Sequence, residues 1–437
     1  MESYVLPVGA KKPTLEELQT EGGIARLQRL AESGEPAARL AAETVGPAAS
    51  FAPVAEQTSG FAQSEGAESG EGAADVAAGA VYPEPARTMT YEECRNGLGT
   101  DKKFFIKSRF AVCSGATFLQ TWFRNNRPVG ESMFNVRTVG TIAANSREIK
   151  FQYYFTEMQS TGQTATAGMK ITTNGAMPKS WPTGVKYDHG GNLPKAAKSF
   201  DELKLARTYL HTVNAKPGQG SSGSTDLIFT VYEPSISITA PAGWRLGGAL
   251  SGKLFMLAPR WDAASYLANS TGGGNPAKKG AATFSYLPTL AYSTKAGAPE
   301  RAVAEHLRTA FTKPGDTKPE MAAKKVPGQA AKEPLHRLVD PKRKEDNRKA
   351  AVKQCKRYWG DNYSQGATRE CDEYPFATTY EGAAQPDYDG DAKKFNFSVK
   401  PVAKQDNGAA GSLLLGFYAK NRLVDGLEDG FLVQITA

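Results

Sequence analysis

Three carboxylates near the C-terminus could act together on a polyanion. Asp372, Glu373 and Glu381 lie within ten positions of one another, and the most basic segment of the chain, residues 342–357, comes just before them. Carboxylates bind hard cations such as Mg²⁺, and basic side chains bind phosphates. A bound cation can activate a water molecule and stabilise charge on a phosphate. The pattern therefore predicts a site for metal-dependent phosphodiester cleavage.

A helix is expected to carry the basic segment. Asp340 is a good N-cap, Pro341 suits the first helical position, and the helix should run to about Trp359. Such a basic face is often only solvated, but next to carboxylates it favours phosphate contact. The basic side chains of its outer face are Lys342, Arg343, Lys344, Arg348, Lys349, Lys353, Lys356 and Arg357.

The elements after this helix follow a simple order. The carboxylates are expected on one strand, and residues 395–399 alternate as a second strand. Asp406 and Asn407 then precede a helix over residues 409–422, and residues 431–435 form a closing strand. Two strands followed by a helix can clasp one divalent ion, which is the ββα-metal arrangement of one-metal nucleases.

The residues of this region resemble those of the NucA/NucB family of secreted bacterial deoxyribonucleases. The resemblance covers residues 335–435, about a quarter of the chain, and does not extend to residues 1–330. Its strongest signal is the Asp-Glu-aromatic-Pro core followed by Glu-Gly. The matching stretches are Asn347-Arg348-Lys349-Ala350, Cys371-Asp372-Glu373-Tyr374-Pro375-Phe376-Ala377, Glu381-Gly382, and Asp406-Asn407 with Gly411-Ser412.

The resemblance implies an endonuclease that depends on Mg²⁺ or Mn²⁺, acts on DNA and is exported from a bacterium. The family's catalytic aspartate corresponds to Asp372, which we expect to act as the general base on a water molecule. The sequence departs from the family pattern at two positions. Gly408 stands where the family commonly has an arginine, so a phosphate contact is missing, and Ala383 stands where it often has a glycine.

Other residues are assigned roles around Asp372, and three of them have a simpler alternative. Glu373 is a catalytic candidate or a surface salt-bridge partner. Asn407, with Glu381, is a candidate cation ligand or only a helix cap. His336 could protonate the leaving oxygen or be an ordinary surface histidine. Arg348 is the candidate for gripping the scissile phosphate, and the further phosphate contacts expected are Lys349, Lys353 and Arg357.

The charge distribution favours a polyanion partner for most of the chain. The net charge is +8, yet residues 1–86 carry five basic and thirteen acidic residues, so residues 87–437 carry +16. A basic body suits DNA. The acidic arm is either an internal competitor for the same surface or only a solvated tail.

Four segments are expected, and the fold class is a multi-domain α+β protein. Residues 1–86 read as an acidic arm with two short helices in residues 13–45 and a disordered linker after them. Residues 87–311 read as a β-rich module, mostly antiparallel and either sandwich-like or a curved sheet, with a helix at its end over residues 299–311. Residues 312–332 are rich in Lys, Pro, Gly and Ala and predict a linker, and residues 333–437 form the ββα-metal-type nuclease domain.

The four cysteines form two pairs that are local in sequence. Oxidised pairs Cys94–Cys113 and Cys355–Cys371 would each stabilise the fold by about 3 kcal/mol through loop closure. Three pairings are open, as is the alternative of buried free thiols. With no CxxC and only four scattered histidines, a zinc site is not expected.

Localisation and partners follow from the same patterns. No apolar run reaches the length of a membrane span, so no transmembrane helix is expected, and the N-terminus lacks a signal-peptide pattern, so either that segment has been lost or export does not occur. The competing hypothesis is a non-enzymatic, secreted or surface β-rich binding protein with an inactive nuclease-like tail. A third hypothesis is a toxin with an N-terminal delivery module, which implies an inhibitor protein. The partner of the β-rich module is not identified by the sequence.

Overall fold

A computed structural model describes residues 1–32, 80–99, 104–221, 225–248, 251–254 and 256–437. These residues divide into two compact units. The first contains residues 1–32 and 86–285, and the second contains residues 80–85 and 286–437. Across the described residues, no helix is both long and apolar enough to span a membrane.

The first unit consists mainly of antiparallel sheets. An eight-stranded sheet has the order β13-β1-β3-β4-β5-β10-β8, with β2 paired to β3, and two four-stranded sheets have the orders β16-β15-β11-β7 and β14-β12-β6-β9. The elements are β1 (Glu2–Pro7), α1 (Leu15–Leu18), α2 (Gly23–Glu32), α3 (Tyr91–Leu98), β2 (Phe104–Ser108), β3 (Ala111–Arg124), β4 (Arg127–Ile142), β5 (Ile149–Gly162), β6 (Lys170–Ala176), β7 (Ser180–Trp181), β8 (Tyr187–Gly191), β9 (Lys198–Ser199), α4 (Phe200–Ala206), β10 (Thr208–Ala215), β11 (Ile228–Thr230), β12 (Glu233–Thr239), β13 (Gly247–Gly248), β14 (Ser251–Lys253), β15 (Pro259–Asp262) and β16 (Ala281–Phe284).

The mostly antiparallel character of this unit is confirmed, although three sheets replace the expected sandwich or single curved sheet. The turn between β3 and β4 shows why local patterns succeeded here. Asn125 and Asn126 have φ values of 48° and 60°. Asparagine tolerates this left-handed conformation, which a two-residue hairpin turn requires.

The N-terminal segment differs from the predicted arm. Residues 2–7 form β1, which pairs antiparallel with β3. Tyr4 and Leu6 are buried, and so is Val8 beyond the strand, because alternate residues of this short run point into the core. Helices α1 and α2 agree with the expected pair of short helices. The rest of the helical prediction, to residue 45, and most of the predicted linker lie outside the described residues.

The second unit combines two small sheets with three helices. Strand β21 pairs parallel with β17 and antiparallel with β18, and β19 pairs antiparallel with β20. The elements are β17 (Thr289–Ser293), α5 (Arg301–Thr312), β18 (Leu335–His336), α6 (Pro341–Trp359), β19 (Arg369–Tyr374), β20 (Ser398–Ala403), α7 (Lys404–Lys420) and β21 (Gly430–Thr436).

The boundary between the two units lies before the predicted one. Residues 286–311 were assigned to the β-rich module, but β17 pairs with β21, and Val303 and Leu307 of α5 share a core with Phe417. The predicted linker, residues 312–332, is also packed. Its Val326 is buried in that core, and Lys318 accepts a backbone hydrogen bond from Val399. Its composition resembled a linker because its few apolar residues are widely spaced.

Helices cover both faces of the β19–β20 hairpin. On one face, α6 is joined to β19 by the Cys355–Cys371 disulfide. On the other face, α5 and α7 contact β19 through hydrogen bonds that start from His306 and Asn407. The ββα order is therefore present as two strands followed directly by a helix, while its identity as a metal-binding nuclease motif stays a prediction.

Several local predictions agree with the structure, and two need correction. Helix α6 begins at Pro341 with Asp340 as its N-cap and ends at Trp359. Cysteines 94 and 113 form the second disulfide, so both local pairs are present. Helix α7, however, begins at Lys404, so Asn407 lies inside its first turn and is not a cap. The second strand runs from Ser398 to Ala403, whereas the sequence had predicted it over residues 395–399.

Candidate active site

The two adjacent carboxylates of β19 point to opposite faces of the strand. Successive side chains of a strand alternate. Asp372 faces α5, where His306 bonds it, whereas Glu373 lies on the face that Cys371 uses to reach α6. The expected single cluster of carboxylates is thus divided into two separate environments, one on each side of the hairpin.

The Asp372 carboxylate is held by a buried hydrogen-bonded chain. His306 Nδ1 lies 2.5 Å from Asp372 Oδ2, and His306 Nε2 lies 2.6 Å from Ser398 Oγ. The exposed fractions of Asp372, His306 and Ser398 are 5%, 2% and 0%. Because a carboxylate only accepts hydrogen bonds, Nδ1 is the protonated nitrogen, and Asp372 keeps Oδ1 for another partner. The order Ser–His–Asp resembles a hydrolase triad, but the enclosed serine cannot reach a substrate.

Helix α5 is fixed firmly over this carboxylate. Asp406 Oδ2 accepts a hydrogen bond of 3.2 Å from the Ala302 N–H, in the first turn of α5. A carboxylate at a helix N-terminus satisfies a free N–H group and interacts favourably with the helix dipole. Val303 and Leu307 are fully buried, each contributing about 1.5–3 kcal/mol. Helix α5 is therefore part of the core and not a loosely attached cover.

Two oxygen-bearing side chains share the Asp372 side of the hairpin. Glu370, two residues before Asp372, lies on the same face of the strand. Asn407 Nδ2 donates to Glu370 Oε2 at 2.9 Å, and Lys404 Nζ lies 4.0 Å from Glu370 Oε1. The first turn of α7 therefore brings an amide to a carboxylate on the same face of the strand as Asp372.

Glu370 and Asn407 do not form a ready metal site, because Asn407 Nδ2 and Lys404 Nζ already face the two Glu370 carboxylate oxygens. Among the residues that the structure describes, no group of three or more His, Cys, Asp or Glu side chains could hold a metal ion. Mg²⁺, however, commonly uses one or two carboxylates and completes its shell with water and substrate phosphates. An ion at this place would depend on water and substrate oxygens, because the described residues form no closed protein cage.

Glu373 occupies a different environment. Burial raises the pKa of Glu373 to about 8, the Asp372 charge adds to the rise, and Arg348 and the Ala377 N–H oppose it. The residue nevertheless keeps partial solvent exposure. Burial therefore favours the protonated form of Glu373, which is not a simple surface salt-bridge partner.

Glu381 is engaged with His336 and is separate from Asn407. His336 Nδ1 lies 2.7 Å from Glu381 Oε1, and the His336 backbone N–H donates to Oε2 at 3.0 Å. Both side chains are mostly buried. His336 is thus a partner of Glu381 rather than a free surface histidine, and the predicted pairing of Glu381 with Asn407 as ligands is not observed.

A buried asparagine of α6 shapes the loop that carries Glu381. Asn347 donates through Nδ2 to the carbonyls of Ala377 and Thr379, and its Oδ1 accepts from the Ala384 N–H. A Cβ atom on Gly382 would lie 2.3 Å from Asn347 Nδ2, so only glycine fits there. The motif residues Asn347 and Glu381-Gly382 therefore form one structural unit.

Comparison with protein families agrees with these motif positions. Residues 323–433 match the family model of deoxyribonuclease NucA/NucB. The C-terminal quarter therefore carries a segment similar to the NucA/NucB deoxyribonucleases, a NucA/NucB-type domain. The resemblance drawn from the sequence is thereby confirmed for this part of the chain, and it supports a nuclease role. No curated protein and no solved structure matches the chain.

The basic face of the NucA/NucB-type domain lies on α6. Arg348, Lys349, Lys353 and Arg357 are all exposed. Arg348 is close enough to Glu373 to lower its pKa, so the α6 face adjoins Glu373 and lies across the hairpin from Asp372. The basic helix and the expected base are therefore not neighbours, contrary to the sequence-based expectation.

The sequence analysis missed two residues of the site, Glu370 and His306. Glu370 could have been found, because it precedes Asp372 by two positions and a strand has a period of two. His306 lies outside the matched segment and had been counted only as a scattered histidine. Its spacing from Val303 and Ala310 places it on the apolar side of α5, which was the available signal.

Proposed function

We propose that the C-terminal unit is a metal-dependent endodeoxyribonuclease that hydrolyses phosphodiester bonds of DNA, with Asp372 as the general base. The match of residues 323–433 to deoxyribonuclease NucA/NucB carries the proposal. The +16 charge of residues 87–437 supports a polyanionic substrate. The two disulfides are consistent with an extracellular location, and we propose that the protein is secreted.

Asp372 is proposed to accept a proton from the attacking water through Oδ1. Its other oxygen is already bound by His306, so one side of the carboxylate is fixed while the other is directed at the water. Mg²⁺ or Mn²⁺ would bind near it, with Glu370 and Asn407 as ligands once their mutual hydrogen bond and the Lys404 contact are exchanged for the ion. The ion would lower the pKa of the water and stabilise the charge that develops on the phosphate.

The remaining candidates are given supporting roles. Arg348, Lys349, Lys353 and Arg357 are proposed to bind phosphates that flank the cleaved bond, since α6 adjoins Glu373 and not Asp372. Glu373 and His336 remain candidates for proton transfer, with Glu373 the stronger because burial raises its pKa and so favours the protonated form. Glu381 is proposed to orient His336.

The alternative is a β-rich binding or assembly protein with an inactive nuclease-like tail. Gly408, which replaces a phosphate-binding arginine of the family, favours it. The large antiparallel first unit, whose partner is not identified, would then carry the function. An inhibitor protein is expected as a partner only if the enzyme is a toxin.

A plasmid-cleavage assay tests the proposal. Supercoiled DNA is incubated with the full chain in Mg²⁺ or Mn²⁺, with and without a chelator, and beside an Asp372→Ala variant. We expect nicked and linear products that require the metal and disappear in the variant. Cleavage that persists in Asp372→Ala would reject this residue as the base, and a complete lack of cleavage with either metal would favour the alternative.

A further inference from the structure

Helix α5 lies outside the segment that matches the nuclease family, yet it contacts two acidic residues of the family motifs. Asp372 accepts from His306, and Asp406 accepts from the Ala302 N–H at the start of α5. The family match begins at residue 323, whereas α5 ends at Thr312. Two motif carboxylates thus depend on a helix that the family pattern does not include.

We propose that His306 is a positioning residue of the nuclease, which fixes the rotamer of Asp372 and leaves Oδ1 as its only free oxygen. This inference rests on the proposed function, since it assigns a role around the same base. The hydrogen-bonded chain runs from Ser398 through His306 to Asp372. Ser398 holds the imidazole, and the imidazole in turn holds the carboxylate.

The surroundings of the Ser398–His306–Asp372 hydrogen bonds favour a positioning role for His306 over an inhibitory role for helix α5. A covering element that inhibits must be able to leave, but α5 is anchored through its buried Val303, Ala304 and Leu307. These side chains share a core with Phe417 and Phe431 from other elements of the unit. Helix α5 therefore remains in place during turnover, and His306 acts as a fixed support.

The other groups near Asp372 do not replace His306. Tyr292 is buried close by, since the Asp372 charge adds to the rise of its pKa, but its hydroxyl donates to the Ala410 carbonyl. Glu373 lies on the opposite face of the strand. Glu370 is occupied by Asn407. Within the described residues, His306 is the side chain that the structure shows donating to the Asp372 carboxylate.

Kinetics of the full chain test the role. His306→Ala should lower kcat for DNA cleavage by about 10²-fold with KM unchanged, because a misplaced base affects the chemical step and not substrate binding. His306→Asn should recover most of this loss, since its amide N–H can take the place of Nδ1. Thr309→Ala, on the same helix, is the matched control and should behave as wild type.

A second readout does not depend on cleavage. In the full chain with ¹⁵N-labelled histidine, the His306 imidazole should give a hydrogen-bonded N–H proton signal that Asp372→Ala removes. Its absence from the wild type would overturn the inference. Wild-type protein that cleaves no DNA would refute the proposed function. The N–H proton signal would then still show whether His306 donates a hydrogen bond to Asp372.

The kinetic outcomes separate the alternatives. Unchanged kcat in folded His306→Ala would refute positioning, and raised kcat would identify α5 as an inhibitory element instead. If neither His306 variant folds, Ser398→Ala removes the support of the imidazole. It should lower kcat without changing KM, and an unchanged kcat would overturn the inference.

Discussion

At the scale of single residues, Asp372 and Glu373 are adjacent in sequence, yet their carboxyl groups lie in different environments on opposite faces of β19. Asp372 accepts from His306 on one face of β19. Glu373 is enclosed on the other face, with a pKa of about 8. The first is suited to accept a proton and the second to carry one. Their proximity in sequence had suggested a shared role, which the alternation of side chains in a strand prevents.

The raised pKa of Glu373 predicts how stability depends on pH. The folded state binds the proton more tightly than the unfolded state, whose pKa is near 4.5. This contribution to stability is fully present below about pH 4.5 and is lost as the pH rises to about 8, by at most about 1.4 kcal/mol per pH unit. Glu373→Gln, which does not titrate, should lack this loss.

Chemical denaturation across the pH range measures the effect. The difference in unfolding free energy between wild type and Glu373→Gln should move in favour of the variant between about pH 5 and pH 8. Glu345→Gln is the matched control, because Glu345 is an exposed residue of α6. Parallel curves for wild type and Glu373→Gln would show that the carboxyl is not buried as described.

At the scale of elements, the α6 side chain Asn347 determines the shape of the Glu381 loop. Its amide makes three hydrogen bonds to backbone groups of residues 377–384. Asn347→Ala would leave these groups buried without partners, at a cost of about 1–3 kcal/mol for each unsatisfied group. We expect a clear loss of unfolding free energy, of about 3 kcal/mol, measured by denaturant titration.

An exposed residue of the same helix provides the comparison. Lys349→Ala should change stability by less than about 0.5 kcal/mol, because surface substitutions away from such networks have small effects. Equal stability of Asn347→Ala and Lys349→Ala would show that the three Asn347 hydrogen bonds do not stabilise the loop. A larger loss of stability in Asn347→Ala than in Lys349→Ala is the result that the hydrogen bonds require.

Local patterns predicted those elements whose signals lie within a few residues. Asp340-Pro341 marked the start of α6, and Asn125-Asn126 marked the β3–β4 turn. The contacts that assemble the site could not be predicted in this way. His306 meets Asp372 across 66 positions, and the parallel pairing of β17 with β21 and the buried face of α5 bring that part of the chain to the domain. Residues 312–332 were predicted to be a linker from their composition, and composition alone contains no information about packing.

At the scale of the molecule, the C-terminal unit is larger than the segment recognised by family comparison. β17 adds an edge strand to β21, and the Tyr292 hydroxyl donates to the Ala410 carbonyl of α7. Residues 80–85 also belong to this unit, through the contact of Tyr82 with Phe417 and an ion pair of 3.0 Å between Glu84 and Lys420. A segment that lies between the two parts of the first unit in sequence thus contributes to the second unit.

Truncation tests this extended boundary. A fragment of residues 286–437 should fold cooperatively, whereas residues 323–437 should not, because the latter lacks β17 and the buried face of α5. Circular dichroism during heating distinguishes a sharp transition from a broad one. Equal thermal stability of the two fragments would show that β17 and α5 are dispensable for folding.

The central claim is that catalysis takes place on the Asp372 face of the hairpin. The most direct measurement is kcat/KM for plasmid cleavage by Asp372→Asn and Glu373→Gln, two substitutions of similar shape at adjacent positions, in the full chain with saturating Mg²⁺ or Mn²⁺. We predict a loss of about 10³-fold or more for Asp372→Asn, and a smaller loss for Glu373→Gln, because only the former removes the base. A larger loss in Glu373→Gln would move the catalytic centre to the α6 face and contradict the account.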